Sequence, residues 1–358
     1  MNNKKNIFWK TQPIIKTSTE AIGLIHKDVE INTKQTKLPN GFTWRNVDDP
    51  IILTKFLNNH YYLNKERFIF NYHIEMIHKL FSSPWHKKEY SIGLFFNDEF
   101  SGYIFGKEHK VMIYEKEEYI LSVNFLCLKT ELRAQNLAPL LITELKRVAW
   151  NNGIYAAVFS NDINRGFCFT EFTYYHMLLD IKKLEKLFPI PIGFQSGINN
   201  DDYMRKNTKL ATKDDFEVIL ALYFKSCEKF DFYELFSINS LQYELEPCEN
   251  CNYTLYNSET KEFISFYLIS IFDTQLNIKI KKAYLQYWYG TSAIIKDGFI
   301  YCKNILNVDM FDVLNMGRNE TMIINHFPFL EGTGHLFYHF FNYTNPLTSR
   351  SKVNFIFY

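Results

Sequence analysis

The chain has 358 residues, which is the length of about two domains of roughly 150 residues each. Hydrophobic residues make up 47% of it, enough to bury a large core, and 40 Lys and Arg residues nearly balance 39 Asp and Glu residues. This balance excludes the strongly basic surface of a nucleic-acid-binding protein and a polybasic membrane-binding patch.

The six cysteines are scattered along the chain. Cys248 and Cys251 form the one C-x-x-C pair, and no second pair completes the four ligands of a structural zinc. We therefore expect unpaired thiols, no metal and a reducing, cytoplasmic location. The polar N-terminus has no signal-peptide core, and the apolar run at 263–272 is too short to cross a bilayer, so no transmembrane segment is expected.

Residues 1–37 are predicted to form an extended arm. The arm carries Phe8 and Trp9 shortly before Pro13. Adjacent aromatic side chains gain nothing from exposure to water, so we expect this part of the arm to pack on the core.

The next segments show strand and helix patterns in succession. A helix is predicted at 50–62, and alternating aromatic residues predict a strand at 68–72. A hairpin follows at 91–106, then a strand at 110–114 and another at 119–128. Consecutive antiparallel strands that lead into a strand–helix crossover predict an α+β fold with mixed sheets flanked by helices.

The chain is organised around a strand–turn–helix segment. Residues 123–128 are apolar and predict a buried strand, 129–131 form a polar turn, and apolar residues at helical spacing predict a helix over 138–150. The unpaired N–H groups and the dipole at such a helix start favour a phosphate group. No glycine-rich signature is present, which excludes a Walker loop and a Rossmann fingerprint. On shape alone, an ordinary buried strand–helix pair remains the commoner explanation.

The second half begins after a segment rich in Pro and Gly at 187–206, where we place a domain boundary. A strand is predicted before it at 153–160, and a helix capped near 213–215 is predicted over 214–229. The last residues, 352–358, are apolar, whereas chain termini are usually polar and frayed. This pattern predicts a terminal strand that carries the α-carboxylate into the interior, although an edge strand that happens to end the chain fits it too.

The strand–helix segment resembles the first signature of the eukaryotic N-myristoyltransferase family, Glu-Ile-Asn-Phe-Leu-Cys-Val-His-Lys followed by Leu-Arg-Ser-Lys-Arg-x-Ala-Pro-Val-Leu-Ile. The matching residues stand at the family's spacing: Asn124-Phe125-Leu126-Cys127, Leu132-Arg133, Ala138-Pro139 and Leu141-Ile142. The arm matches independently, since the family begins Phe-Trp-x-Thr-Gln-Pro and this chain has Phe8-Trp9-Lys10-Thr11-Gln12-Pro13.

The resemblance implies two tandem GNAT-like (acyl-CoA N-acyltransferase) halves. Residues 1–190 would bind myristoyl-CoA as co-substrate, and residues 191–358 would form much of the peptide groove and supply the C-terminal carboxylate. The implied reaction is transfer of myristate to the N-terminal glycine amine of proteins by direct attack on the thioester, without a prosthetic group. Two alternatives stay open: a GNAT-type acyltransferase of other acyl or amine specificity, and a non-catalytic protein that binds acyl-CoA or peptides.

The resemblance also implies roles for individual residues. The catalytic groups are the backbone N–H groups of Phe125 and Leu126, as an oxyanion hole, and the carboxylate of Tyr358, as a base. The implied cofactor-binding residues are Ile7, Phe8, Trp9, Phe125, Leu126, Cys127, Leu128, Arg133, Ala134, Asn136, Leu137 and Ala138. The implied peptide-binding residues are Phe68, Phe70, Tyr72, Ser160, Tyr174, His176, Ser265 and Tyr284.

Three departures from the family pattern affect binding. The loop at 63–66 has lost most of the family's acidic residues, and Thr333 replaces an Asp of the second signature, Phe-Gly-x-Gly-Asp-Gly-x-Leu. Both losses remove a reason to prefer Lys in the substrate peptide. The family's Ser-Lys-Arg at the pyrophosphate site is Ala134-Gln135-Asn136 here, which predicts CoA binding that is weaker and less sensitive to salt.

Overall fold

The computed structural model describes residues 7–28, 30–63, 67–164 and 168–357. Within these ranges the fold is α+β, with mixed sheets flanked by helices, which confirms the predicted class. The helices are α1 Ile7–Thr11, α2 Pro50–His60, α3 Ile74–Phe81, α4 Leu137–Asn151, α5 Ile181–Leu184, α6 Phe216–Cys227, α7 Ile238–Leu245, α8 Ser292–Ile300 and α9 Asn319–Met322. The strands are β1 Gly23–Leu24, β2 Phe42–Asn46, β3 Tyr62–Leu63, β4 Phe68–Asn71, β5 Ser91–Phe96, β6 Glu99–Ile113, β7 Lys116–Leu128, β8 Ala156–Asn161, β9 Thr170–Leu178, β10 Thr208–Leu210, β11 Phe232–Glu234, β12 Asn252–Asn257, β13 Glu262–Leu268, β14 Ser270–Asp273, β15 Ile278–Ile280, β16 Lys282–Tyr289, β17 Met310–Leu314, β18 Leu330–Phe341, β19 Tyr343–Thr344 and β20 Val353–Asn354.

The large central sheet contains the same strand arrangement twice. In the first half, β5, β6 and β7 pair antiparallel, α4 follows, and β8 returns parallel to β7. In the second half, β12, β13 and β16 pair antiparallel, α8 follows, and β17 returns parallel to β16. This repetition is the tandem architecture that the sequence predicts.

The two halves exchange their next strands. β9 follows β8 in the chain but pairs with β17 of the second half, whereas β18 follows β17 and pairs with β8 and β9. The exchange joins both halves into one continuous sheet. Residues from both halves therefore meet around β8, β9 and β18.

Several predicted element boundaries are corrected. The strand predicted at 110–114 is the end of β6, because β7 pairs with β6 continuously across this region. Residues 7–11 of the arm are helical rather than extended. The C-terminal segment is a strand only over β20, after which Phe355 is fully buried outside any strand. The second-half helix is preceded by a 3₁₀ turn at 213–215, whose capping box is formed by Thr212.

Within the described ranges, no helix is long and apolar enough to span a bilayer. The same ranges contain no group of three or more His, Cys, Asp or Glu side chains arranged to hold a metal ion.

Candidate active site

A β-bulge interrupts the pairing of β6 with β7. Tyr103 pairs with Cys127 and Phe105 pairs with Asn124, so β7 contains one more residue than β6 between these pairs. Phe125, in the bulge, has φ of +55°, which is rare for a bulky residue and marks strain. Because a bulge leaves an extra residue outside the ladder, it frees main-chain groups for other partners.

The ring of Phe125 holds the strained bulge in place. It meets the ring of Tyr72 edge-on at 5.6 Å and lies 6.3 Å from that of Phe105. Aromatic pairs at these distances are stabilising, so packing offsets part of the cost of the positive φ.

A first cavity of about 240 Å³ opens on one side of the bulge. β7 and β8 pair at residues 120–122 and 156–158, and residues 123–126 and 159–161, beyond this pairing, are part of the cavity lining. The lining is largely apolar and comes from β7, β8 and α4, including Leu121, Ile142, Leu145 and Phe159. Such a lining suits a hydrocarbon chain.

A second, larger cavity of about 530 Å³ also has Phe125 of the bulge in its lining. Residues from both halves line it, among them Tyr72, Tyr174, Tyr284, Ile356 and Phe357. Tyr61, Asn124, Phe125, Ser160 and Asn161 line both cavities. The two cavities therefore meet at the bulge.

Three ionisable side chains, Asp312, His176 and Lys282, line the second cavity. Asp312 is 2% exposed; its Oδ1 is 2.7 Å from His176 Nδ1, and its Oδ2 pairs with Lys282 Nζ. Burial tends to raise the pKa of Asp312, but Lys282 and His176 outweigh burial and hold that pKa below its ordinary value. An ionised Asp312 thus fixes the His176 ring at the cavity surface.

The N-terminal arm covers the first cavity. Trp9 lines it and stacks on Phe159 of β8 with ring centroids 5.5 Å apart, while Phe8 meets Trp9 edge-on at 5.2 Å. The predicted packing of the arm on the core is thereby confirmed.

Replacing Trp9, which is only partly buried, with Ala should raise the dissociation constant for a long-chain acyl-CoA about tenfold, because the indole lines the cavity and each Å² of apolar contact that the ligand loses is worth about 25 cal/mol. Calorimetric titration measures this. Trp85→Ala, which removes an indole that is 47% exposed, is the matched control and should change the constant less than twofold. Equal effects of both substitutions would contradict a covering role for the arm.

The turn between β7 and α4 leaves main-chain donors available. Ala134 and Asn136 both have positive φ, and α4 begins without a side-chain cap or an acidic residue in its first turn. Arg133 is engaged by main-chain carbonyls: its Nε donates to Leu128 O at 3.2 Å, and its Nη2 donates to His60 O. The helix start thus offers N–H groups for an anion.

Restoring the basic turn should make CoA binding stronger and more sensitive to salt. The triple variant Ala134→Ser, Gln135→Lys, Asn136→Arg adds two charges at exposed positions beside the helix start. Exposed charges act through screened attraction, so the affinity of this variant should fall more steeply between low and high salt than that of the parent. Equal slopes would refute the prediction.

Sequence models of one family match most of the chain. The N-terminal domain of myristoyl-CoA:protein N-myristoyltransferase matches residues 22–170, and the C-terminal domain matches residues 199–354. The chain belongs to the N-myristoyltransferase family.

Individual members of the family align over nearly the whole chain. The glycylpeptide N-tetradecanoyltransferase of Plasmodium falciparum is 26% identical over 98% of this chain and 92% of its own length. A probable glycylpeptide N-tetradecanoyltransferase of Caenorhabditis elegans is 26% identical over 94% of this chain and 82% of its own. The crystal structure of Saccharomyces cerevisiae N-myristoyltransferase with bound myristoyl-CoA has the same fold, with a TM-score of 0.90, 21% identity and full coverage of both chains.

Nine of the residues that the family resemblance singles out line one or both cavities, and others lie at the start of α4. Phe125 and Leu126 form the bulge, Trp9 covers the first cavity, and Leu137 and Ala138 open α4 after Ala134 and Asn136. Phe70, Tyr72, Ser160, Tyr174, His176 and Tyr284 line the second cavity. Tyr358 and the side chain of Ile7 lie outside the described residues.

Four of those residues point elsewhere. Phe68 stacks on Phe188, 5.7 Å away, outside the lining of both cavities. Ser265 is fully buried and donates to Gln286 Oε1 at 3.1 Å, and the register of β13 with β16 shifts next to it. Neither residue lines either cavity, and their contact with a peptide stays a prediction. Cys127 and Leu128 are buried in the core and also lie outside both cavity linings, so any role towards the CoA passes through their main chain.

Burial also raises the pKa of the Cys127 thiol to about 12, which leaves no thiolate to act as a nucleophile. A covalent acyl-enzyme at this residue is therefore disfavoured, in keeping with a cysteine that packs in a strand.

The cavity linings also contain residues that were absent from the expected set, among them Tyr61, Asn124, Lys282 and Asp312. Asn124 stands inside the signature, and its polar side chain in an apolar strand was a usable signal. Lys282 and Asp312 are brought to His176 only by the pairing of β16 with β17 and of β17 with β9, which no local pattern reveals.

Proposed function

We propose that this chain transfers myristate from myristoyl-CoA to the N-terminal glycine amine of proteins. The observation that carries the proposal is the meeting of an apolar cavity and a tyrosine-lined cavity at one strained bulge. A thioester carbon at the bulge would face an amine that enters from the second cavity.

The apolar cavity accounts for the acyl part of the substrate. Burial of a methylene group is worth about 0.8 kcal/mol, so a tetradecanoyl chain supplies on the order of 10 kcal/mol of binding. We propose that Phe8, Trp9 and the bulge hold the acyl end, and that main-chain N–H groups of Ala134, Asn136, Leu137 and Ala138 hold the phosphates.

The chemistry needs a base and an oxyanion site. A glycine amine has a pKa of about 8, so it is mostly protonated at neutral pH and must lose a proton before it attacks. Its lone pair then bonds to the thioester carbon, and the carbonyl electrons move to oxygen. The nitrogen loses a second proton as the tetrahedral intermediate collapses, and the expelled CoA thiolate takes up this proton. We propose that N–H groups of Phe125 and Leu126 stabilise the oxyanion, each worth about 3 kcal/mol.

We propose the α-carboxylate of Tyr358 as the base. Phe355 is fully buried, and Ile356 and Phe357 line the second cavity, so the chain approaches the bulge just before this residue. A carboxylate withdrawn from water without a cation gains basicity.

We further propose that residues 1–190 and 191–358 are the two halves, each with one copy of the repeated strand order, and that the protein acts in the cytoplasm. The substrate would be the exposed N-terminal glycine of other proteins.

The decisive experiment combines the purified protein, myristoyl-CoA and a Gly-Asn-x-x-x-Ser peptide, with mass spectrometry of the product. Peptide that gains a tetradecanoyl group on its α-amine supports the proposal, and a peptide that begins with Ala is the control. Preference for another acyl-CoA or another amine would instead identify a different acyltransferase, and binding of both substrates without product would identify a binding protein.

Gly332 of β18 leaves space for the ring of His176, which lines the second cavity. A Cβ added at Gly332 would overlap His176 Nε2 and lie 2.8 Å from Tyr174 O, whereas a Cβ at Gly334 would have only an ordinary contact with Tyr174 at 3.7 Å. Gly332→Ala should therefore displace His176 and raise the KM for peptide about tenfold, with the KM for myristoyl-CoA unchanged. Gly334→Ala is the control and should behave like the parent; equal KM values for both variants would contradict the role of His176.

A further inference from the structure

A hydrogen-bonded chain of polar side chains lies behind the bulge. His109 of β6 has two partners: its Nδ1 is 2.7 Å from Glu234 Oε1 of β11, and its Nε2 is 2.9 Å from Ser122 Oγ of β7. Ser122 Oγ lies 3.3 Å from Asn124 Nδ2. His109 is 6% exposed and Ser122 is 2% exposed, so water competes little for these bonds.

This series of hydrogen-bonded side chains ends at the candidate active site. His109 and Ser122 are absent from the lining of both cavities, whereas Asn124 lines both and immediately precedes Phe125 of the bulge. The ring of His109 also meets that of Phe355 edge-on at 5.1 Å. These hydrogen-bonded side chains therefore connect the interior of the sheet to the residues that the two cavities share.

The chemistry of the groups fixes the direction of each hydrogen bond. A carboxylate oxygen accepts, so the 2.7 Å contact with Glu234 Oε1 places a hydrogen on His109 Nδ1. In the neutral imidazole Nε2 then accepts, and the hydroxyl of Ser122 donates to it. The oxygen of Ser122 in turn accepts from the amide nitrogen of Asn124, which leaves Asn124 Oδ1 as the end of the amide available to the cavities.

We propose that Glu234, His109 and Ser122 are positioning residues that orient the carboxamide of Asn124, so that its oxygen accepts a hydrogen bond from the incoming glycine amine. This inference rests on the proposed function. An attacking amine needs its lone pair directed at the thioester carbon while its N–H groups find acceptors. A reversed amide would present N–H groups instead, and these would bind the lone pair that has to attack.

The test is a double-mutant cycle on purified protein, with the peptide and myristoyl-CoA assayed separately. Ser122→Ala frees the amide of Asn124, and loss of one neutral hydrogen bond is worth about fivefold to tenfold. We expect kcat/KM for the peptide to fall by that factor while the KM for myristoyl-CoA changes less than twofold. In an Asn124→Ala background, Ser122→Ala should have no further effect, because residues that act through one group are not additive.

Glu234→Gln provides a second variant of nearly unchanged shape. Its amide no longer dictates which nitrogen of His109 carries the hydrogen, so the same coupled loss is expected. Ser226→Ala removes a buried hydroxyl that bonds only within its own helix, to Tyr223 O at 2.6 Å and near Cys227, and it should leave both kinetic constants unchanged. Thermal unfolding checks that each variant folds. If Ser122→Ala does not fold, the kinetics of Glu234→Gln test the positioning role instead.

The possible outcomes separate the two proposals. The positioning role would be overturned if Ser122→Ala lowered kcat/KM for the peptide by the same factor in the Asn124→Ala background as in the parent. A parallel rise in the KM for myristoyl-CoA would overturn it too. In both cases the proposed reaction stands. A parent protein that binds both substrates and forms no acylated peptide would overturn the proposed reaction, and the positioning role with it.

Discussion

Two glycines appended after Tyr358 should lower the turnover number by about 10²-fold to 10⁴-fold, which is the usual contribution of a general base. The extension replaces the proposed basic carboxylate by a neutral peptide group and moves the new carboxylate away. The acyl cavity is unaffected by the extension, so the dissociation constant for myristoyl-CoA should change less than twofold. Single-turnover kinetics with preformed acyl-CoA complex measure the chemical step directly.

A matched control keeps the terminal carboxylate and alters the side chain alone. Tyr358→Phe removes only the phenolic oxygen and should retain most of the turnover. Full activity of the extended chain would exclude the terminal carboxylate as the base and would direct attention to other groups at the junction of the two cavities.

Asp312→Asn should lower the free energy of unfolding at pH 7 by about 3–5 kcal/mol, the usual cost of breaking a buried ion pair. The substitution leaves Lys282, whose side chain is 10% exposed, without its counter-charge. It also releases the His176 ring, so the KM for peptide should rise. Urea denaturation gives the stability difference, and steady-state kinetics give the KM.

The pH dependence of this difference has a definite sign. Because the folded pKa of Asp312 lies below the ordinary value, its stabilising contribution is present above about pH 4 and is lost as the pH falls through the folded pKa. The difference between parent and variant should therefore shrink in acid. Glu320→Gln, at an exposed pair with Arg350 that is 42% and 45% accessible, should cost less than about 1 kcal/mol; an equal cost for both would contradict the buried pair.

The sequence predicted the central strand–helix segment well because its signals are local. The predicted helix at 138–150 agrees with α4 to within one residue at each end. The strand predicted at 119–128 ends where β7 ends, but β7 begins three residues earlier. The bulge at Phe125 was not predicted as a conformation, since no glycine marks the positive φ. Tertiary packing of aromatic rings enforces it, and such packing is invisible to a local pattern.

Sequence analysis could not predict which distant groups the side chains near the site contact. Arg133 resembles a phosphate-binding residue by position, but its guanidinium bonds to His60 O, 73 residues away. His109 and Glu234 are 125 residues apart and meet because β6 pairs with β11. Ser265 follows the right motif, but a register shift beside it changes what the side chain contacts. Contacts between segments that are far apart in the sequence decide the cases of Arg133 and His109.

The exchange of β9 and β18 between the halves bears on how the chain folds. β18 pairs with β8 across about 180 positions, as in Tyr338 opposite Ser160, and closing so long a loop is entropically slow. Neither half has a complete sheet until the other has been synthesised, so a ribosome-bound first half would expose the unpaired edge of β8. Such an edge is a site for misassociation, and the acyl cavity beside β8 would become complete only after synthesis had passed β18.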